Sequence, residues 1–374
     1  MQDRGLRPAA VTVDHGLRPE SASEAEAVRT LCAARGIAHD TLALSLSDGP
    51  DLQNRARQGR YRALADWARD RGLRSVAVGH TADDLAESFL MRLADGAGLD
   101  GLAAMEPRFV RFGTIFLRPL LGVRKAELTA FLEARGIPWV EDPSNVNLRF
   151  ERVRARHLLS QLDIDPEQIA ASARALRQVR QSMDSRTRDL LARMLTQDRG
   201  DLLLTRDAFA SLQREDPEQA RRVLLACLRG INGHDYPPRR AEQMELMRRV
   251  ATSETTTLAG CLLTFETDRL RIAREPAAAL AAPAARVGET WDTRWHVTGP
   301  AGTIRALGEA IVQTPWRETG LPRRSLLASP AIWRGETLLA APVAGLAEGW
   351  TAVACDALHP IREIPLNPGP QSLS

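Results

Sequence analysis

Apolar and polar positions in the first part of the chain switch between a period of about two residues and one of about 3.6, the signature of strands alternating with helices. Ala9 to Val13 is an apolar strand that ends at Asp14-His15-Gly16. Ser21 and Glu24 have capping-box spacing, and Val28, Leu31 and Cys32 share one face of a helix that runs to Arg35 and stops at Gly36. A strand follows over Ile37 to Leu44, then a helix carrying Leu64, Trp67 and Ala68 that ends at Gly72, then a strand over Ser75 to Val78. These crossovers suit βαβ units and a parallel sheet. The pattern next predicts a helix from Thr81 to Ala94, two short strands over Phe109 to Leu117 around Gly113, and a helix from Arg124 to Arg135 closed by Gly136.

The turn-rich run IPWVEDPSNVN, residues 137–147, marks a boundary. From Leu148 to about Val250 the periodicity is helical, relieved only by a strand-like Leu202 to Thr205. Thr255 to Arg274 reads as a hairpin, and the Ala/Pro stretch Pro276 to Ala285 as a linker. The remainder reads as small and mixed or β-rich; its Trp291, Trp295, Trp316, Trp333 and Trp350 are assigned to a core rather than to stacking surfaces for unpaired bases. The expected domains are therefore 1–146, 147–250 and 251–374.

A length of 374 residues suits two or three domains. With 44% hydrophobic and 26% charged residues, disordered and fibrous classes are excluded, and no apolar run is long enough to span a bilayer. The start MQDRGLRPAAVTV has no signal core, so a cytoplasmic location and no membrane partner are expected. Cys32, Cys227, Cys261 and Cys355 form no metal-like cluster and read as structural thiols. Net charge is only +3, but it is unevenly placed: residues 147–250 hold 20 basic and 15 acidic side chains. Arg149, Arg152, Arg154 and Arg156 fall within eight residues there, a density that could neutralise several phosphates or could be a solvated face in an Arg-biased chain. Lys125 is the sole lysine, which argues against a lysine nucleophile.

The sharpest segment is GHTADDLAESFLMRLADGAGLDGL, residues 79–102, which places His80 at the carboxyl end of a strand and opens a helix at Thr81. At 100° per residue Leu85, Ala86, Phe89 and Leu93 form an apolar stripe, with Asp84, Glu87, Ser88 and Met91 opposite. Asp84 and Glu87, at i and i+3, could hold an ammonium group, or with Asp83 a metal ion; Thr81 to Asp84 is also a capping box. Gly96, Gly98 and Gly101 suit a loop approached by a ligand or plain helix termination. Asp14 and His15 end a strand where a nucleotide could lie. Arg57 and Arg60 could bind a triphosphate or pair with Asp51 and Asp66.

VTVDHGLRPES at 11–21, ARQGRY at 56–61, GHTADDLAESFLMRL at 79–93, RPLLGVRKAEL at 118–128 and WVEDPSN at 139–145 together resemble, in order and spacing, the bacterial tRNA(Ile)-lysidine synthetases. YPPRR at 236–240, TLAGC at 257–261 and AREP at 273–276 resemble the later part of the same family. The resemblance implies an α/β fold: a parallel-sheet PP-loop domain of the adenine nucleotide hydrolase-like kind, then a helical domain and a small mixed or β-rich one. It implies an ATP-dependent ligase in which ATP adenylates the wobble cytidine of a CAU anticodon in tRNA(Ile), and the ε-amine of free L-lysine then displaces AMP. Asp84 and Glu87 would hold and deprotonate the amine, with His80 and Asp83 in support. Arg60, Arg57, Arg118, Asp14, His15, Gly96 and Gly98 would serve the nucleotide with Mg²⁺, and Arg152, Arg154 and Arg156 would face tRNA.

The sequence departs from that family in lacking an SGGxDS-type phosphate loop, and it starts where the family's second strand is expected, so the PP-loop domain reads as N-terminally truncated. Asp95 and Gln53 depart from the family's usual basic residue and Glu. A translation start upstream of Met1 is the favoured expectation; a non-catalytic tRNA-binding remnant is the alternative. Other readings are a metal-dependent phosphoesterase using Asp14, His15, His80, Asp83 and Asp84, and a tRNA-thiolating relative, which the scattered cysteines oppose. The native translation product is expected to exceed 41.1 kDa by several kilodaltons; an intact mass matching Met1 would instead favour the remnant.

Overall fold

Residues 7–14, 21–44, 52–103, 105–139, 151–161, 163–233 and 237–355 are described in a computed structural model, and the chain divides into two units, one built on residues 1–178 and the other on 179–368. That division differs from the boundaries at 146/147 and 250/251 read from sequence. The start of the helical segment packs with the first unit, where Leu159, Ile169, Ala170 and Ala173 are buried against the helix that follows His80.

In the first unit β1 (Ala9–Asp14) and β2 (Ala38–Ala43) pair parallel, Val11 opposite Asp40 and Val13 opposite Leu42, with α1 (Ser21–Ala33) as the crossover. Helix α2 (Leu52–Asp70) leads to β3 (Ser75–Ala77). After α3 (Ala82–Ala94) and the short α4 (Leu99–Leu102), β4 (Arg108–Arg111) and β5 (Thr114–Leu117) form an antiparallel hairpin, and β5 also pairs parallel with β3. Phe112 and Gly113, at φ 49° and 74°, make the tight turn that a two-residue hairpin requires. Among the described residues no ladder joins β1–β2 to β3–β5–β4. Their connection is α2, whose buried Tyr61, Leu64 and Trp67 pack on Val76, Phe109 and Phe116 and on Val11, Val13 and Leu42.

Helix α5 (Lys125–Glu133) and α6 (Glu151–Gln161) complete the first unit with the start of α7 (Pro166–Met194). The expected apolar stripe on α3 is displaced: Leu93 is exposed, whereas Glu87 and Ser88 are buried. The cause is packing on two sides, Leu85 against Met105, Leu121 and Ala173, and Ala86 against Leu159 and Ile169. A helix covered on both flanks hides part of its polar face as well.

The second unit holds more strand than the sequence pattern suggests. The antiparallel sheet runs in the order β6 (Leu195–Asp198), β7 (Asp201–Thr205), β10 (Arg269–Arg274), β9 (Cys261–Phe265), β8 (Thr256–Leu258). The expected hairpin is thus three strands of a five-stranded sheet, and β6, half polar and joined to β7 by a turn with Arg199 at φ 55°, carries no alternation long enough to read. Helices α8 (Arg206–Glu215), α9 (Pro217–Asn232) and α10 (Arg240–Ala251) cover the sheet through Val223, Leu224, Leu228, Ile231 and Leu246.

The supposed Ala/Pro linker contains α11 (Pro276–Leu280), with Pro at its first turn, where the missing N–H costs nothing. Its Ala279 is buried with Trp291, Trp295, Ile304 and Ile332, in a core between a four-stranded and a three-stranded sheet. The cysteines are free thiols, Cys32, Cys227 and Cys261 buried.

Buried charge in this unit is compensated. Arg222, fully buried on α9, donates through Nη1 to Asp184 (3.1 Å) and through Nε to Glu218 (2.9 Å). Removing one partner of a buried pair leaves the other's desolvation cost unmet. Arg222→Ala is therefore expected to destabilise this unit by about 3 kcal/mol, read from urea unfolding followed by tryptophan fluorescence; an unchanged midpoint would contradict it.

Candidate active site

The first unit gathers two opposed charge clusters from six segments: α2, the β3–α3 turn, α3, β4, the end of β5 and α6. The acidic side begins at Thr81, whose extended backbone caps α3. Thr81 N–H donates to Asp84 Oδ2 (2.7 Å), the Thr81 hydroxyl donates to the same oxygen (2.9 Å), and Asp84 N–H donates back to Thr81 Oγ1 (3.4 Å). The capping box thus uses one carboxylate oxygen. Asp84 Oδ1 faces Arg152 Nη1 of α6 at 3.4 Å.

One turn on, Glu87 is only 2% exposed. Its Oε1 accepts from Arg156 Nε at 2.8 Å, while Oε2 is buried with no hydrogen-bond partner. Burial raises its pKa, more than Arg156 lowers it. Arg152 and Arg156, at i and i+4, occupy one face of α6 and both reach α3; the Arg152 side chain is partly buried there, whereas that of Arg156 stays 44% exposed. Arg154 is exposed and lies 3.8 Å from Glu151. Asp83 points elsewhere: Oδ2 accepts from the Lys125 N–H (2.7 Å) at the start of α5, and the carboxylate pairs with Arg124 at 3.3 Å.

The basic side is built around Tyr61, which is fully buried between Phe109 and Phe116 in edge-on contacts at 5.7 and 5.0 Å. The guanidiniums of Arg57 and Arg60 lie 5.5 Å from its ring centroid and that of Arg111 lies 4.9 Å away. Arg118 sits 4.1 Å over Phe109 and donates through Nη1 to the Glu106 carbonyl (2.7 Å); its Nε is buried without a partner. Burial, with repulsion among these arginines, lowers Arg57 to about 10 and lowers Arg118 and Arg152 as well. Burial raises the Tyr61 phenol, but the nearby charges of Arg57, Arg118 and Arg60 outweigh it and the net shift is downward.

His80 lies between the clusters. Burial first, then Arg118, lowers it to about 3, against the opposing pull of Asp84, and its Nδ1 is buried with no hydrogen bond.

The remaining sequence candidates have other surroundings. Gly96 ends α3 at φ +70°, and Gly98 caps α4; neither has a described contact with the arginines or acids above. Asp14 closes β1, its carbonyl accepting from Leu44 N–H (2.8 Å), and His15 lies outside the described residues. Tyr61 and Arg111 were not singled out from sequence. The i, i+4 spacing of Arg57 and Tyr61 was the available signal; Arg111 had none, since only the β4–β5 hairpin brings it there.

Against this geometry, residues 1–162 match the family described as PP-loop domain. Among curated proteins, the tRNA(Ile)-lysidine synthase of Ruegeria pomeroyi is 44% identical, over 93% of this chain and 84% of that protein. The tRNA(Ile)-lysidine synthase of Hyphomonas neptunium is 38% identical, over 70% and 72%. That of Mesorhizobium japonicum is 33% identical, over 94% and 80%. With these identities extending through both units, the chain belongs to the tRNA(Ile)-lysidine synthase family.

Proposed function

We propose that this chain ligates L-lysine to the wobble cytidine of tRNA(Ile) bearing a CAU anticodon, using ATP and releasing AMP and pyrophosphate. The observation that carries the site assignment is that Asp84 and Glu87 stand side by side on α3 and each holds a cationic guanidinium. A lysine ε-ammonium offers the same charge and donors.

The roles follow from charge. Adenylation transfers AMP to the cytidine carbonyl oxygen while pyrophosphate leaves. Negative charge accumulates on phosphate oxygens there, and Arg57 is buried and repelled by Arg60, Arg152 and Arg111, as Arg118 is by Arg152, so a polyanion relieves that strain. In the second step the amine must lose a proton before it attacks the activated ring carbon and expels AMP. Glu87, with its pKa raised by burial, is a stronger base than a solvated carboxylate and has Oε2 unengaged. Asp84 holds the cation, and His80, neutral, accepts or donates a hydrogen bond without adding charge. Asp83 acts through the start of α5.

No three His, Cys, Asp or Glu side chains converge to hold a metal ion among the described residues, and Asp83 and Asp84 are engaged by Arg124 and the α3 cap. No step is therefore assigned to Mg²⁺. We assign catalysis to residues 1–146 and tRNA contact to the helical segment 147–250, with Arg154 and Arg156 the exposed members of the run Arg152, Arg154, Arg156. No helix among the described residues is long and apolar enough to cross a membrane.

Two measurements test this site. With ATP and a tRNA(Ile) transcript, labelled lysine is expected to enter RNA with AMP released in equal amount, and Glu87→Gln to lower kcat/KM for lysine by about 10²-fold or more; equal rates in wild type and variant would remove Glu87 from proton transfer. The second concerns charge. A His80 held near 3 takes up no proton in the folded state where the unfolded chain, near 6.5, does, so its contribution to stability is full above about pH 6.5 and is lost as pH falls toward 3. Its imidazole ¹⁵N shifts should stay those of the neutral ring from pH 8 down to about 5; titration near 6.5 would refute the burial argument.

A further inference from the structure

The second unit contains a cavity of about 970 Å³ walled by α8, α9, α10 and the β9–β10 turn, at the upper end of the size range of small-ligand sites. Five arginines and two carboxylates line it. Glu218 is spent on Arg221 (2.8 Å) and Arg222 (2.9 Å), and Arg248 on Glu245 (2.9 Å). Arg206, Arg214 and Arg240 have no carboxylate partner among the described residues; Arg206 meets only Ser253 Oγ (3.0 Å) and the Glu266 carbonyl, and Arg214 only Ser211 Oγ (3.1 Å). Against them stands one unpaired acid, Asp207, which leaves an excess of two positive charges at the rim.

Beneath this rim the surface is apolar and polarisable. Met244 is 52% exposed above buried Met247 and Phe209, and the Arg206 guanidinium lies 5.7 Å from the centre of the Phe265 ring. Unpaired planar cations beside thioether and ring surfaces match a phosphate joined to a flat base. A free inorganic anion would leave the floor unused, and an apolar ligand would leave the arginines unpaired.

We propose that this cavity is an RNA contact that takes one nucleotide unit, its phosphate among Arg206, Arg214 and Arg240 and its base on Met244 and Phe265. The choice of RNA rests on the tRNA-modifying function proposed above; the cavity and its charge do not.

The test uses the full chain and an unmodified tRNA(Ile) transcript, with affinity read by fluorescence anisotropy across salt concentrations. Arg214→Ala/Arg240→Ala is expected to weaken binding about tenfold and to flatten the salt dependence by roughly one to two counterions. Lysine at both positions should restore most of the affinity. Arg305→Ala/Arg323→Ala removes the same charge from exposed pairs with Glu336 and Glu309 and should stay within about twofold of wild type. Met244→Ser should cost about fivefold through lost apolar and S···π contact with the base. If both double variants weaken binding equally, or neither does, while wild type binds and modifies the transcript, the cavity assignment falls alone. A wild-type chain that does not bind the transcript at low salt would overturn the tRNA reading and this inference together. Saturation of the cavity by free AMP at micromolar concentration, seen in the Met244 methyl resonance, would make a free nucleotide the occupant and overturn the RNA assignment.

Discussion

The pairing of α3 with α6 through Glu87 and Arg156, and one turn away through Asp84 and Arg152, is the interaction on which the site in the first unit depends. A carboxylate as enclosed as Glu87 is costly to charge unless a cation stands against it. Arg156 supplies that cation at 2.8 Å, yet leaves one oxygen unsatisfied, so the group remains a base with a raised pKa rather than a quenched ion pair. Had Arg156 met both oxygens, the pair would be a structural tie. Single-point contact orients the carboxylate and leaves one oxygen able to accept a proton.

The facing arginines pose the reverse problem, because like charges brought together in a partly dry space repel. The aromatic trio Tyr61, Phe109 and Phe116 makes this tolerable, the rings of Tyr61 and Phe109 lying beside Arg57, Arg60, Arg111 and Arg118 and Phe116 packing behind them. The trio is also the core that joins α2 to both strand groups, which share no ladder among the described residues. The residues that hold this half together are therefore those that hold its cations in place, and a core substitution at Phe109 would disturb charge as well as packing.

Much of this was legible in the sequence because the signals are local. Thr81, Asp84 and Glu87 sit within two turns, and the capping box and both carboxylates follow from their spacing alone. The β4–β5 hairpin was marked by Gly113, and the tryptophan core by Trp291 and Trp295. What escaped depended on distant partners. Burial of Glu87 requires α6, about 65 residues on, and the orientation of Arg152 and Arg156 has meaning only once α3 is opposite. The short strand β6 is recognised only through its ladder to β7, and α11 was hidden by an Ala/Pro composition that suits a linker as well as a helix whose first residue is proline. Arg111 reaches the site through the hairpin and no motif announces it.

Buried arginines elsewhere in the chain sharpen the contrast. Arg271 meets Asp198 (3.0 Å), Asp201 (2.9 Å) and Glu266 (2.5 Å), and Arg294 meets Asp292 (2.9 Å), so each is surrounded by oxygen and behaves as a fastening. Arg118 is just as removed from water, and Arg152 partly so, but both keep buried donor nitrogens with nothing to receive them. A folded chain seldom tolerates that cost for stability alone, since each such donor forfeits its hydration without return. The charges of Arg271 and Arg294, met by carboxylates, serve the fold, whereas the unmet donor of Arg118 agrees with the anion-binding role proposed for it.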